Sequence, residues 1–167
     1  MKTILGITKN NMAVVDRYNS HIHGDLMELI KEALSKIEVK GFTVTSYDFS
    51  EVIGECSLVE TVLMDEIVYA QRHKRNGLTR FVKNKKPKKS KSLTMVLMPS
   101  KEKTDEFILI TAFIGKPASV EPWDPKATSK DVMFWRNNAI IWDGDVIPGT
   151  ETEIRPDSFK INLIKGE

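Results

Sequence analysis

Apolar residues recur along this chain with two different periods, and the change of period marks out its elements. Leu26, Leu29, Ile30, Ala33, Leu34 and Ile37 fall three or four positions apart, the spacing of one helix face. Glu28, Lys31, Glu32, Ser35 and Lys36 take the other face, Asp25 suits the positive end of the helix dipole, and Gly41 follows soon after. The pattern predicts a helix from Gly24 or Asp25 to Ile37. Elsewhere the period is two. Residues 3–8 read as a short strand ended by polar Lys9-Asn10-Asn11, and Gly41–Phe49 alternates among β-branched and aromatic residues as another strand. Residues 50–63 are ambiguous: Ser50-Glu51 suits a short helix start, while Gly54 and the Val- and Thr-rich end oppose a long one.

Four further strands follow at Glu66–His73, Leu78–Lys83, Leu93–Met98 and Glu106–Ile114. Asn76-Gly77 between the first two is a hairpin signal, since both residues tolerate the positive φ of a primed turn. Phe107–Ile114 is apolar on both faces, which places it centrally in a sheet and covered in part on both sides. Pro117, Pro122 and Pro125 exclude a ladder strand there. Thr128 or Ser129 then caps a short helix running through Phe134-Trp135 towards Ile141, and Ser158–Ile164 reads as an edge strand. The short connections favour an antiparallel meander. The expected fold is α+β: an N-terminal helix packed on a mainly antiparallel sheet of four or more strands, with residues 1–167 as a single domain.

Composition narrows this picture little, and charge narrows it more. The 167 residues are 41% hydrophobic and 29% charged, as in ordinary globular proteins. No apolar run approaches the roughly 20 residues that span a bilayer, so no membrane association is expected. The apolar start of the chain gives way at Lys9-Asn10-Asn11, too soon for a secretory leader. With the lone Cys56 excluding an internal disulfide, a cytoplasmic location is expected. Net charge is only +2, yet ten Lys or Arg and no acid lie between Arg72 and Lys91. That concentration is where a polyanion is expected to be held.

Strand alternation puts Tyr69, Gln71 and His73 on one face and Val68, Ala70 and Arg72 on the other; Thr79, Phe81 and Lys83 share a face, as do Leu78, Arg80 and Val82. Hairpin pairing brings a His, at least two Arg, a Thr and a Lys into a small area. Metal-independent RNA cleavage needs a base for the 2′-OH, cations for the phosphate and an acid for the departing 5′-oxygen. Histidine titrates near neutral pH and serves as either acid or base; arginine holds phosphate through paired N–H donors. Candidate catalytic residues are therefore His73, Arg72, Arg80 and Tyr69, with Thr111 and Asn138 as polar groups beyond the hairpin. Arg75, Thr79, Lys83, Lys85, Lys86, Lys88 and Lys89 are candidates for holding RNA, the lysines by point-charge contact with the backbone. Non-catalytic nucleic-acid binding and a solvated basic edge are the competing readings of the hairpin. Trp135, beside Arg136, Asn137 and Asn138, either stacks on an exposed base or anchors its helix on the sheet. His21-Ile22-His23 lacks a third ligand, so no metal and no cofactor are expected.

The segments Tyr69-Ala70-Gln71-Arg72-His73-Lys74-Arg75, Leu78-Thr79-Arg80-Phe81-Val82-Lys83 and Leu109-Ile110-Thr111-Ala112-Phe113, in the order helix then antiparallel sheet, look like the bacterial ribonuclease toxins of the barnase, EndoU, colicin and RelE superfamily. The resemblance covers roughly residues 20–142. It implies a metal-independent endoribonuclease, neutralised by an acidic antitoxin or immunity protein. Members that use histidine often take a second polar residue from a later strand or helix, a role that falls here to Thr111 or Asn138. The alternatives are a non-enzymatic nucleic-acid-binding module and an interaction protein whose basic loop meets an acidic partner.

Overall fold

The computed structural model describes residues 3–9, 12–16 and 24–158. His21-Ile22-His23 and most of the expected strand Ser158–Ile164 lie outside them. The fold mixes helix and sheet, with sheet predominant, and divides into two compact units, Met1–Glu55 with Lys89–Pro117 and Cys56–Lys88 with Ala118–Glu167.

The first unit holds β1 (Thr3–Lys9), β2 (Met12–Asp16), α1 (Gly24–Lys36), β3 (Thr43–Asp48), β9 (Ser92–Pro99) and β10 (Glu106–Ile114). Its five strands run in the order β1-β2-β10-β9-β3. All neighbours pair antiparallel except β2 and β10. The apolar stripe of α1 lands as its period demands: Ile30, Ala33 and Leu34 pack with Leu93, Met95 and Leu97, which alternate along β9, and with Phe107, Leu109 and Ala112 of β10. β10 is the central strand, as its two apolar faces predicted. The helix, however, follows two strands rather than opening the chain.

The second unit holds β5 (Leu58–Glu60), β6 (Ile67–Gln71), β7 (Leu78–Val82), α2 (Ser129–Asn137) and β11 (Asn138–Ile141). The strand order is β5-β11-β7-β6, with β11 and β7 parallel. The expected four-strand meander is therefore split: β6 and β7 belong to this sheet, β9 and β10 to the other. β4 (Gly54–Cys56) and β8 (Lys88–Ser90) form a separate two-stranded ribbon.

α2 starts where a capping box dictates. The Thr128 hydroxyl accepts from the Asp131 amide while the Asp131 carboxylate accepts from the Thr128 amide. The helix stops at Asn137, and residues 138–141 become a strand instead of continuing the helix to Ile141. Val132 and Trp135 of α2 pack with Tyr69, Leu58, Ile67, Leu78 and Ile140. A second cluster gathers Val68, Ala70, Phe81 and Val146 with Trp142. Consecutive residues of the β6–β7 hairpin thus feed two different cores, one on each face of the sheet.

Candidate nucleic-acid interface and its two grooves

The hairpin register decides which of the candidate side chains can meet. Tyr69 stands opposite Arg80 and Ala70 opposite Thr79, so Arg80 shares a face with Tyr69, and Thr79 lies on the other face. Arg72 joins Thr79: its Nε donates to Thr79 Oγ1 at 3.2 Å. Arg72 and Arg80 therefore leave the sheet on opposite faces and cannot grip the same phosphate.

The connection between the strands is not a two-residue turn at Asn76-Gly77. Arg75 N donates to Arg72 O at 3.2 Å, and the residue with positive φ is Lys74, at 62°. Gly77 does not take a positive φ. Its lack of a side chain matters for packing instead, because a Cβ there would collide with Cβ, Cγ and Cδ1 of Trp123. The Asn-Gly pair read as turn chemistry is partly a seat for an indole ring.

On the Arg72 side the structure brings in a residue that sequence reading left without a role. Glu121 is 9% exposed, and its Oε2 accepts from Arg72 Nη2 at 3.1 Å while its Oε1 accepts from the Thr79 hydroxyl. Thr79 is fully buried in this network and so is not an RNA contact. Arg72 has five N–H donors, of which this network uses two, leaving three. A groove of about 240 Å³ is lined here by Arg72, Arg75, Glu121, Asp124 and Trp123, with residues 118–120 and Trp135 also on its wall. Arg75 is exposed. The Trp123 indole N–H is covered and has no hydrogen-bond partner among the described residues. His73 lies on the same turn, exposed, with its backbone amide held by Asp145 O at 3.2 Å.

On the other face Arg80 Nη1 donates to Thr61 Oγ1 at 2.7 Å and to Asn138 O at 2.9 Å. Both acceptors are neutral. A larger groove of about 580 Å³ opens beside Arg80, with Arg136 and Asn137 of α2 on its wall.

Several other candidates are placed where their expected roles fail. Tyr69 is 5% exposed in the core under α2, out of reach of an RNA 2′-OH. Trp135 is 1% exposed, and its indole N–H donates to Ser119 O at 2.9 Å; it anchors its helix and offers no stacking face. Asn138 gives its amide to Phe134 O at 2.8 Å, closing the end of α2. Thr111 sits in the other unit, on β10 opposite Val96. Lys85 is spent internally, pairing with Asp65 at 3.2 Å and donating to Glu60 O at 3.0 Å. Lys83 lies 4.6 Å from the Trp142 ring centroid, a cation–π contact. Lys86, Lys88 and Lys89 remain exposed, with no ion pair among the described residues; Lys89 belongs to the first unit.

No match was found. Comparison of the chain with protein-family models, with curated proteins and with solved structures returns none in any of the three. The chemistry of the grooves has to be judged from their own groups. Among the described residues, no three His, Cys, Asp or Glu side chains gather as a metal-ligating cluster. No helix among them is long and apolar enough to cross a membrane.

Two carboxylates, one in each unit, are held below the ordinary range. Asp65 is lowered chiefly by the Val62 amide, which donates to its Oδ2 at 2.7 Å, with Lys85 and Asn84 adding to it. In the first unit Asp48 is lowered by hydrogen bonds from Lys116 and Ser92.

Sequence reading missed Glu121 because its partners are 42 and 49 residues away. The available clue was local: a lone acid between Pro117 and Pro122, just beyond a strand, in a segment too rigid to be a solvated linker.

Proposed function

We propose that this protein is a metal-independent endoribonuclease of toxin type, with its reacting phosphodiester in the Arg72–Glu121 groove. The observation that carries the proposal is the Glu121 carboxylate, mostly buried yet lining a groove beside two arginines. Each carboxylate oxygen accepts one bond from the protein and keeps a lone-pair site for a substrate proton.

In this reading Glu121 takes the proton of the RNA 2′-OH, and O2′ attacks phosphorus. Arg75 and the spare donors of Arg72 bind the non-bridging oxygens as charge builds on them. The P–O5′ bond breaks, and the departing oxygen takes a proton from His73, the exposed histidine on the same turn. The products are a 2′,3′-cyclic phosphate and a 5′-hydroxyl. Lys86 and Lys88 dock the backbone by charge alone. The ribonuclease-toxin resemblance supplies the reaction class, a cytoplasmic site of action and the expectation of an acidic antitoxin or immunity protein.

One observation favours a second reading, a nucleic-acid-binding module without catalysis: the exposed lysines of the 83–91 segment need no chemistry to hold a phosphate backbone. Incubating the purified protein with a panel of RNAs in EDTA separates the two. Cleavage supports the enzyme. Tight, salt-dependent binding with no cleavage, unaffected by His73→Ala, supports the module.

A further inference from the structure

The groove beside Arg80 is built from different materials, and they point to a different occupant. None of its lining residues is acidic or aromatic. Arg80 makes no ion pair among the described residues; its bonds go to a hydroxyl and a carbonyl, so its full charge remains to be answered. The rim is a run of aliphatic side chains that face water: Val62 is 62% exposed, Leu63 104% and Met64 89%.

That rim is held in place. The amide of Val62 donates to Asp65 Oδ2, Asp65 N donates back to Val62 O at 3.0 Å, and Lys85 ties Asp65 to the body of the unit. A turn closed in this way presents Leu63 and Met64 at a fixed position, so their exposure is not the fraying of a loose loop. Contiguous exposed apolar residues beside polar ones mark interaction sites.

We infer that this groove docks an acidic polypeptide segment bearing aliphatic side chains. Its carboxylates meet Arg80, and its aliphatic groups cover Leu63 and Met64. Single-stranded RNA is the less suitable occupant, because unpaired bases are held on aromatic faces that this groove lacks. The inference does not rest on the ribonuclease reading, since no residue lines both grooves.

The test is a displayed library of random peptides selected on the intact protein, followed by fluorescence anisotropy of the selected peptides. Selected sequences should combine Asp or Glu with Leu, Ile, Val or Met. The exposed double substitution Leu63→Glu/Met64→Glu should weaken their binding by about tenfold or more, through like-charge repulsion and lost apolar contact, with an unchanged melting curve. A library that yields no binders, or binders without carboxylates, overturns the inference. So does equal affinity for the double variant. A 2′-O-methyl oligouridylate, which cannot be cut by 2′-OH attack, serves as the RNA arm: loss of its binding in the double variant assigns the groove to RNA instead.

Discussion

Arg72 and Arg80 stand on one hairpin, line different grooves and are used in opposite ways. Arg72 answers a mostly buried carboxylate, so its charge is balanced inside the protein. Arg80 is held by neutral oxygens, which orient the guanidinium without cancelling it. The first arrangement is a positioned, hydrogen-bonded ion pair that costs stability if broken. The second is a standing positive charge next to exposed aliphatic groups. An excess of basic residues in a sequence does not distinguish these cases; the partners do.

Breaking the Arg72 side should have the largest effect. Glu121→Gln leaves Arg72 with only 20% of its side chain exposed and no carboxylate, which should cost about 3 kcal/mol, measured by urea unfolding. The same change should leave binding in the Arg80 groove intact. Gly77→Ala comes next. It drives a methyl group into the Trp123 ring and should cost about 2 kcal/mol by overpacking, with Trp123 displaced and the Arg72 groove misshapen. The Arg80 groove again serves as the internal control.

Smaller effects test the peripheral parts. Removing exposed Lys86 and Lys88 together should reduce the salt slope of single-stranded RNA affinity by about 0.7 for each lysine, with little change in stability. An equal loss on removing Lys85, already paired with Asp65, would contradict this division of labour. The smallest effect is expected with pH. The folded-state pKa of Asp65 is depressed, so its contribution is complete above the ordinary carboxylate pKa of about 4. It is lost as pH falls through the lower folded value. The Val62 amide should lose hydrogen-exchange protection over that interval, while the Arg72–Thr79–Glu121 network gives no such response at Val62.

The comparison also explains what the sequence could reveal. α1 was legible almost to the residue because its stripe of Leu26 to Ile37 is a local periodicity that the core then uses. β10 was legible as a central strand because both its faces are apolar. The assignment of strands to sheets was not, since the parallel pairings of β2 with β10 and β11 with β7 depend on contacts distant in sequence. Alternation assigned faces within each strand but left Arg72 and Arg80 as joint phosphate holders; only the cross-strand register sets Arg72 with Thr79 and Arg80 with Tyr69, on opposite faces. Trp135 and Tyr69 looked available for chemistry because an aromatic residue carries no mark of its burial. Glu121 was invisible as a partner because nothing near it in sequence binds it.

The central claim is that Glu121 is the base of an RNA-cleaving groove. It is tested most directly by mass analysis of RNA incubated in EDTA with the wild-type protein and with Glu121→Gln, at a temperature where both are folded. The account predicts 2′,3′-cyclic phosphate and 5′-hydroxyl ends from the wild type, and a rate lower by about a hundredfold or more in the variant. Intact RNA with the wild type, or cleavage by Glu121→Gln at the wild-type rate, would contradict it.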